Sequence, residues 1–330
     1  MDFHSAIGSF GGKRIALIGD LVADQFLNGT ISRVSREAPV FILRHEETVT
    51  LPGAAANAAA NVASMGGEPI LLGVIGTDSE GERLKASLGN KGVAAGHILS
   101  DPEIKTTTKV RVLAGQHYAV RQQVIRIDYE NSGELSAELR KRLQDKLDEV
   151  AAEIDAIIVS DYGYGAVFDA IFAQARDIAD RRGIPLVVDS RYRLSSLTGA
   201  TAATPNSEEV EQIAGEAFSD NDCQRLRESL GCTALLVTNG NKGMTLFENG
   251  TSAHFDAVGS PEPVDVTGAG DTVIAAFTLA LAAGVGYSDA ATIANHAGGI
   301  VVMKKRTATV SVDELLASLG GAYAAANAEV

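Results

Sequence analysis

The stretch "DVTGAGDTVIAAF" (residues 265–277) places two glycines and an aspartate directly before a run of small apolar residues. The run is typical of a buried helix, and the first turn of a helix leaves backbone N–H groups unpaired, with a partial positive charge. Glycines at that point let an anion approach the backbone closely. The stretch therefore predicts a helix whose start, at Gly268, Ala269 and Gly270, is an anion cradle.

Asp271 in the first turn of this helix has two interpretations. It is either a favourable partner for the helix dipole, with the glycines serving a tight turn, or a catalytic group. A carboxylate in an anion cradle repels the ligand that the cradle attracts. The arrangement has a purpose if Asp271 takes a proton from a hydroxyl that attacks a phosphorus atom, while the amides stabilise the transferred phosphoryl group.

On both sides of this stretch, short apolar segments alternate with amphipathic ones. The apolar segments "RIALIGD", "PILLGVIG", "AIIVSDYG", "PLVVDSR" and "ALLVTNG" predict buried strands, and the segments between them predict helices. Fully apolar strands with helices between them favour a mostly parallel sheet covered on both faces. We therefore expect an α/β fold with three layers.

Two segments depart from this alternation, at residues 28–53 and 105–131. Both carry β-branched residues that alternate with polar ones, which predicts antiparallel strands with one solvent-facing side. We expect an α/β core at residues 1–27, 52–104 and 132–330. Residues 28–51 and 105–131 are expected to form a small β-sheet that acts as a lid.

Charge and composition exclude several function classes. The 330 residues include 28 basic and 42 acidic side chains, a net charge of −14, which disfavours binding to nucleic acids or anionic membranes. The longest apolar run, at about residues 272–286, is too short to span a bilayer, and the first residues contain no apolar signal segment. Cys223 and Cys232 form no CxxC or disulfide pattern. We expect a cytoplasmic protein.

Four motifs, in order along the chain, resemble those of the PfkB (ribokinase-like) carbohydrate kinases. "DVTGAGDTVIAAF" is similar to the C-terminal signature of that family, and "PGAAANAAANVASMGG" resembles the N-terminal one, with Pro52 where the family usually has Gly or Ala. "TPNSEE" resembles the Asn-x-x-Glu motif, and "VTNGNKG" the nucleotide loop. The resemblance implies a ribokinase-like three-layer sandwich with a mostly parallel central sheet and a small β-sheet lid.

The resemblance also implies roles for residues at the nucleotide side. Asp271 is similar to the catalytic base, and residues 268–270 resemble the anion hole. Asn206 and Glu209 resemble the pair that organises Mg²⁺ through water around the phosphates of ATP. The remaining nucleotide contacts implied are Thr238, Gly240, Gly243 and Asn295. Asn295 has the alternative of a packing amide, and His296 beside it is expected to be structural. Some relatives hold a monovalent cation near Asp265, so a monovalent-cation site is possible there.

The acceptor side is expected where the first strand ends. Asp20 and Asp24 follow that strand, and carboxylates at a strand's C-terminal end suit the hydroxyls of a sugar, unless they cap the next turn. Gly53 and Asn57 open the helix of small residues and are expected to contact the same ligand, unless Asn57 is a polar group satisfied within its own helix. Arg126 of the second lid segment is our candidate for binding a phosphate on the acceptor. The other lid cations considered for that task are Arg33, Lys109, Arg111 and Arg121. The alternative for each of these basic residues is a place on the solvent-facing side of a strand.

Three local phrases make the heptose-phosphate kinases of ADP-heptose synthesis the nearest resemblance within the family. They are "ISRVSREAPV", "RQQVIRID" and "VTGAGDTVIAAFTLALAAG". The sequence departs from that group at "RYRLSSL" after "VDS", where a Pro-Lys pair is usual, and at "AGQHYAV" in the lid, which is longer than usual. We therefore expect an ATP-dependent kinase for heptose 7-phosphate, with another sugar or a nucleoside as the alternative acceptor.

Two other function classes remain. A non-catalytic sugar or nucleotide sensor on the same fold would have a degraded base or anion hole, whereas both are intact here. An NAD-dependent oxidoreductase would need G-x-G-x-x-G after the first strand, where "GDLVAD" stands instead.

The exposed strand edges of the lid also predict a homodimer formed lid to lid.

Overall fold

The computed structural model describes residues 2–115, 121–131 and 134–321. In that part of the chain the strands are β1 (Arg14–Gly19), β2 (Leu21–Val34), β3 (Phe41–Ala54), β4 (Glu68–Gly76), β5 (Ile98–Asp101), β6 (Thr108–Gly115), β7 (Gln122–Tyr129), β8 (Ala156–Asp161), β9 (Leu186–Ser190), β10 (Ala202–Ala203), β11 (Ala234–Thr238), β12 (Met244–Glu248) and β13 (Thr251–Phe255). The helices are α1 (Phe3–Gly8), α2 (Ala55–Ser64), α3 (Ser79–Asn90), α4 (Ala137–Val150), α5 (Asp169–Arg182), α6 (Ser207–Ala214), α7 (Asp220–Leu230), α8 (Ala269–Ala282), α9 (Tyr287–Val301) and α10 (Val312–Leu319). None of the helices in these ranges is long and apolar enough to cross a membrane.

The central sheet has the strand order β13-β12-β11-β10-β9-β8-β1-β4-β5. From β11 to β5 every neighbouring pair is parallel, because the apolar strands alternate with helices that return the chain to the same edge. One face carries a core that includes residues of α1, α2, α3, α8, α9 and α10, and the other a core from α4, α5, α6 and α7. The predicted three-layer α/β fold is therefore confirmed.

One edge of this sheet is antiparallel, which the sequence patterns did not predict. β11 pairs with β12 and β12 with β13, so a hairpin follows the nucleotide loop "VTNGNKG". The hairpin turns at Gly250, whose φ of +74° favours glycine. This edge carries the candidate nucleotide pocket.

The second sheet has the order β3-β2-β6-β7. Its outer pairs are antiparallel, as predicted, but its central pair, β2 with β6, is parallel. The prediction of antiparallel strands throughout was wrong because the chain leaves this sheet after β3, passes through α2, β4, α3 and β5 of the core, and re-enters from the same end. Residues 116–120 of the "AGQHYAV" segment lie outside the described residues.

Small residues bring the elements of the site close together. Eight consecutive residues of α2, Ala55–Val62, are buried, and α2 packs against α8. Alanine side chains on both helices allow their axes to approach closely, so polar groups at the two helix starts come within hydrogen-bonding distance. The site lies there, beside the carboxyl ends of β1, β8 and β9, where open parallel sheets place their ligands.

Candidate active site

Asp271 is the centre of the site. It is the third residue of α8 and only 3% exposed. Asn57 of α2 donates its side-chain N–H to Asp271 Oδ2 at 2.9 Å, and the hydroxyl of Tyr162 donates to Asp271 Oδ1 at 2.8 Å. The structure thus joins two residues predicted from the sequence, Asp271 and Asn57, with a third, Tyr162, that the sequence analysis missed.

Burial raises the pKa of Asp271 from its ordinary value of 3.8 to about 7. The hydrogen bonds from Asn57 and Tyr162 oppose this shift because they favour the ionised carboxylate, and the charge of Lys109 acts in the same sense. Asp24 repels the negative charge and raises the pKa further. A carboxyl group that titrates near neutral pH is suited to accepting a proton and returning it.

Gly268 caps α8 in the left-handed region, with φ of +78°. A Cβ atom at this position would lie 2.3 Å from Nδ2 of Asn57, so a side chain here would displace the amide that holds Asp271. The N–H of Ala269 donates to the carbonyl of Val266 at 3.2 Å, which leaves it less available to a ligand than predicted. Within the described residues, Gly270 N–H has no such loop acceptor and lies at the cavity surface.

A cavity of about 610 Å³ extends from the start of α8. Its lining includes Tyr162, Asp189, Arg191, Asn206, Glu209 and residues 268–270. Asn206 and Glu209 form a capping box at the start of α6: Asn206 Oδ1 accepts the N–H of Glu209, and Glu209 Oε2 accepts the N–H of Asn206, both at 2.9 Å. Locally, the Asn-x-x-Glu motif is therefore a helix cap that leaves Glu209 Oε1 outside the box.

Asp189 is a second carboxylate of this cavity that the sequence analysis missed. It lies at the end of β9, and its position after an apolar strand was the signal that could have found it. Burial, followed by the negative charges of Glu209, Asp271 and Asp161, raises the pKa of Asp189 well above its ordinary value. Burial also raises the pKa of Glu209. Two carboxylates that both resist ionisation favour a cation between them.

The residues present fit a Mg²⁺ ion that keeps most of its water. Mg²⁺ takes hard oxygen ligands and is commonly held by one or two carboxylates plus phosphate oxygens. Glu209 and Asp189 supply such oxygens. Among the described residues no group of three or more His, Cys, Asp or Glu side chains is arranged around one metal position. Nucleotide phosphates and water would complete the coordination.

A second, apolar pocket adjoins the cavity at the β11–β12 edge. Its lining includes the predicted nucleotide residues Thr238, Gly240, Gly243 and Asn295. A Cβ atom at Gly243 would lie 1.9 Å from the carbonyl oxygen of Phe255, so only glycine allows the two backbones to approach. Asn295 Nδ2 donates to the carbonyl of Asp256 at 2.7 Å, which orders the far wall of the pocket. An apolar slot beside a helix N-terminus suits a nucleoside next to its phosphates.

The second sheet contributes buried charges that act on Asp271. Asp24 forms an ion pair with Arg111 in which both side chains are largely buried. Gly53 makes room for this pair, because a Cβ atom there would lie 2.5 Å from Asp24 Oδ2. The ammonium of Lys109 lies 5.9 Å and 5.5 Å from the ring centroids of Tyr162 and Tyr164. Lys109 is 8% exposed, and within the described part of the chain no carboxylate oxygen forms an ion pair with it.

Asp20 organises a loop beside the site, and its expected contact with the acceptor stays a prediction. It is 2% exposed, and its carboxylate accepts the backbone N–H groups of Tyr162, Tyr164 and Ala166 at 2.8–3.0 Å. These bonds fix the loop that follows β8. Asp20 therefore acts on the site indirectly, by holding the loop that carries Tyr162.

The other predicted cations are more exposed than Lys109 and Arg111. Arg126 of β7 donates to Asp128 at 2.9 Å and is half exposed, Arg121 pairs with Glu46, and Arg33 is exposed. The electrostatic influence of Arg126 still reaches Asp24 and Lys109.

Two further residues considered on the nucleotide side are held by the protein itself. Asp265 accepts the backbone N–H groups of Thr267 and Arg306 at 3.0 and 2.9 Å. His296 contacts the hydroxyl of Ser318 at 2.7 Å, and burial lowers its pKa, which fits the expected structural role.

Comparisons with known proteins agree with this geometry. Residues 13–314 match the model of the pfkB family of carbohydrate kinases. A relative from Geobacter sulfurreducens, named bifunctional protein HldE, is 36% identical over 333 residues, covering 99% of this chain and 67% of the relative. A protein of the same name from Mesorhizobium japonicum is 37% identical over 322 residues, covering 96% of this chain and 64% of the relative. The chain thus spans about two thirds of the length of these relatives.

Solved structures show the same fold at low identity. A ribokinase from Arabidopsis thaliana, complexed with ribose and ATP, has a TM-score of 0.69 and 20% identity, covering 94% of this chain and 99% of that one. Phosphofructokinase-2 from Escherichia coli, in complex with potassium, has a TM-score of 0.75 and 17% identity, with the same coverage. The fold is therefore ribokinase-like. Together with the family match over most of its length, this places the chain in the pfkB family of carbohydrate kinases, which are phosphotransferases.

Proposed function

We propose that the protein is an ATP-dependent kinase that phosphorylates a hydroxyl of a sugar phosphate, with heptose 7-phosphate as the first candidate acceptor. The observation that carries this proposal is the position of Asp271. Its carboxyl group is buried, with a pKa of about 7. The three residues before it line the cavity beside Glu209, and the charge of Lys109 acts on it. A phosphoryl donor on one side and an acceptor hydroxyl on the other would both reach it.

The proposed reaction is an in-line transfer. Asp271 accepts the proton of the acceptor hydroxyl while that oxygen forms a bond to the γ-phosphorus of ATP and the bond to the ADP oxygen breaks. Backbone N–H groups at the start of α8, with Gly270 foremost, donate to the transferred group as its charge redistributes. Mg²⁺ held through Glu209 and Asp189 would neutralise phosphate charge. The nucleoside of ATP would occupy the pocket of Gly243 and Asn295.

Charges at the acceptor side support a phosphorylated sugar. Lys109 is a buried ammonium without an ion-pair partner in the described ranges, and burial lowers its pKa. Asp24 and Asp128 attract this charge, whereas Arg191 and Arg126 repel it, so a further anion would relieve the repulsion. Three cations, Lys109, Arg126 and Arg191, thus influence one another here in a chain with a net charge of −14. The resemblance to heptose-phosphate kinases supports the same class of acceptor.

A coupled assay of ADP release tests the proposal. The panel contains heptose 7-phosphate, hexose phosphates, free pentoses and hexoses, and nucleosides, each with ATP and Mg²⁺. We expect turnover with heptose 7-phosphate or another sugar phosphate, and a loss of several orders of magnitude in the Asp271→Asn variant with nucleotide binding retained. Turnover with a nucleoside or free sugar alone would exclude a phosphorylated acceptor but leave the kinase. Near-normal turnover of Asp271→Asn would remove Asp271 from the mechanism.

The Lys109→Met variant tests whether the acceptor is a sugar phosphate, independently of the phosphoryl-transfer step. Methionine keeps the length and apolar stem of lysine but removes its charge. We expect KM for a sugar phosphate to rise about 10- to 100-fold, the usual value of a charge-assisted hydrogen bond, with KM for ATP unchanged. An equal KM for the sugar phosphate in both proteins would place its phosphate elsewhere. Lys105→Met, on the exposed approach to the lid, is the matched control.

We also propose that residues 28–51 and 105–131 act as a lid over the core and join two copies in a homodimer. β3 and β7 are the edges of this sheet, and Phe41, Ile125 and Tyr129 on them are 59%, 53% and 56% exposed. Apolar edge strands of this kind favour pairing with another chain. Light scattering should give a dimer mass for the natural chain and a monomer mass for Ile125→Lys. A monomer mass for the natural chain at assay concentration would contradict the proposal.

A further inference from the structure

The loop after β8 holds a tyrosine hydroxyl against the candidate base. Tyr162 donates to Asp271 Oδ1 at 2.8 Å, whereas Asn57 donates to Oδ2 at 2.9 Å. The two bonds fix the carboxylate from both ends, so its plane cannot rotate freely. Only one of the two donors, Asn57, belongs to a motif that the sequence analysis assigned to the site.

The position of Tyr162 is set by the protein before any ligand binds. Its backbone N–H donates to Asp20 at 2.8 Å, and the two following bonds to Asp20 come from Tyr164 and Ala166. Gly163, with φ of +81°, provides the turn that brings the N–H groups of alternate residues to the same carboxylate. Asp20 is 2% exposed, so solvent does not compete for these bonds. The loop is therefore preorganised by a buried anion.

The Tyr162 hydroxyl is a permanent donor. Burial and the nearby charges of Asp271 and Asp189 raise the pKa of Tyr162 well above its ordinary value of 10, so the hydroxyl stays protonated at any working pH. It therefore cannot act as a base in place of Asp271. It also lines the cavity of Glu209 and lies under the ammonium of Lys109, at the junction of the donor and acceptor sides.

We propose that Tyr162 is a positioning residue of the phosphoryl-transfer reaction: its hydroxyl orients Asp271 and favours the ionised carboxylate that takes the proton of the acceptor hydroxyl. This inference rests on the proposed function, because it needs Asp271 to be the base. A hydrogen bond to a carboxylate favours its ionised form. When Asp271 takes the proton, this bond weakens, and it strengthens again when the proton leaves, so Tyr162 contributes to resetting the base after each turnover.

The groups that face Asp271 come from several elements. Asn57 and Tyr162 are the hydrogen-bond donors, Lys109 of β6 lowers the pKa of Asp271, and Asp24 of β2 raises it. Asp189 of β9 adds a further negative charge on the cavity side. Removing the Tyr162 hydroxyl deletes one of the interactions that favour the carboxylate and leaves the opposing charges in place. The pKa of Asp271 should then rise.

Tyr162→Phe, which removes one oxygen atom and keeps the ring, tests the inference. We expect the acidic limb of the kcat profile to move to higher pH by about one unit, which makes kcat about tenfold lower on the acidic side of the limb. The loss should be partly recovered at about pH 8.5, where Asp271 is mostly ionised in both proteins. KM for ATP and thermal unfolding should change little, which separates the effect from a general loss of structure.

Tyr164→Phe is the matched control, because it makes the same change two residues later in the same loop. The Tyr164 hydroxyl donates to Glu130 at 2.6 Å and not to Asp271. The acidic limb of the kcat profile of Tyr164→Phe should therefore coincide with that of the natural protein. A second variant, Asp20→Asn, weakens the anchoring of the loop and should shift the limb in the same direction as Tyr162→Phe. It keeps the test decisive if Tyr162→Phe folds poorly.

The outcomes separate the inference from the proposed function. If the natural protein releases no ADP with any acceptor, the kinase proposal fails. If it turns over and the acidic limb of Tyr162→Phe coincides with that of the natural protein, only the role of Tyr162 is overturned. A uniform loss of kcat at every pH, with the acidic limb unmoved, would likewise overturn the effect of Tyr162 on the ionisation of Asp271, because a loss of orientation alone lowers kcat equally at every pH.

Discussion

The buried carboxyl group of Asp271 should lower the free energy of unfolding of the protein, and Asp271→Asn should remove this effect. In the unfolded chain this carboxyl group titrates at its ordinary pKa of 3.8, whereas burial raises the pKa in the folded protein to about 7. The folded state therefore resists the ionisation that the unfolded state undergoes freely. A difference of about three pH units corresponds to about 4 kcal/mol, at 1.36 kcal/mol per unit.

The sign follows from the protons bound in each state. Below about pH 4 both states are protonated, and Asp271 imposes no penalty. Between about pH 4 and 7 the unfolded chain is ionised and the folded protein still holds the proton, so stability falls as pH rises, by about 1.4 kcal/mol per unit. Above about pH 7 both states are ionised and the penalty is constant. Asparagine cannot ionise, so the variant lacks this pH dependence.

The Asp271→Asn variant also loses a stabilising hydrogen bond. An amide presents an N–H₂ group where one carboxylate oxygen stood, so one of the hydrogen bonds from Asn57 and Tyr162 is lost, at a cost of about 1 kcal/mol. We therefore expect Asp271→Asn to be less stable than the natural protein by about 1 kcal/mol near pH 4, and more stable by about 3 kcal/mol above pH 7.5. The difference should change sign between these limits.

Urea unfolding at pH 5, 6, 7 and 8, without ligands, measures this difference. Asp180→Asn is the control, because it removes an exposed carboxylate on α5 and should shift stability by the same small amount at every pH. A difference for Asp271→Asn that is constant from pH 5 to 8 would refute the reasoning. It would mean that Asp271 titrates in the folded protein as it does in the unfolded chain, and the carboxyl group would then lack the pKa of a base poised near neutrality.

Three further substitutions test other parts of the site. Gly268→Ala places a Cβ atom 2.3 Å from Nδ2 of Asn57, at a residue whose φ is +78°. We expect kcat to fall at least about tenfold while the affinity for ADP is retained. A normal kcat would contradict the contact with Asn57. Glu209→Gln keeps an oxygen for the capping box but removes the charge. Half-maximal activity should then need about tenfold more Mg²⁺, while the melting temperature stays the same. An unchanged Mg²⁺ requirement would exclude Glu209 from the metal site. Gly243→Ala forces the backbone of Phe255 away from residue 243. KM for ATP should therefore rise about tenfold in the coupled assay, while KM for the acceptor stays the same. An unchanged KM for ATP would indicate that the nucleotide binds outside this pocket.

Local chemistry made part of this site predictable. Gly268 and Asp271 lie within four residues of each other, and the physics of a helix N-terminus is sufficient to interpret them. The order of apolar segments was likewise sufficient for the three-layer core. In contrast, Tyr162 is 109 residues from Asp271 along the chain, and only the finished sheet places the ends of β8 and β9 beside α8. The parallel pairing of β2 with β6 depends in the same way on where the core returns the chain.

Asp20 and Asp24 show why residue type and position do not by themselves give a role. Both follow β1, both are buried, and burial raises the pKa of both. Asp20 receives three backbone N–H groups and organises a loop, whereas Asp24 pairs with Arg111 of the lid. A buried carboxylate must be compensated by whatever surrounds it, and those partners come from distant parts of the chain.

The same compensation explains the charge distribution around Asp271. The cations of the lid offset Asp24 but leave Lys109 without an ion pair in the described ranges, while Asp189 and Glu209 repel each other across the cavity. Each side of Asp271 therefore has charges that attract the ligand proposed for it: the ammonium of Lys109 where an acceptor phosphate would bind, and Asp189 and Glu209, beside Arg191, where Mg²⁺ would bind. Binding both ligands would relieve the two repulsions together. If that coupling operates, Mg²⁺–ADP should bind more tightly in the presence of a sugar phosphate than in its absence, and Lys109→Met should abolish the difference.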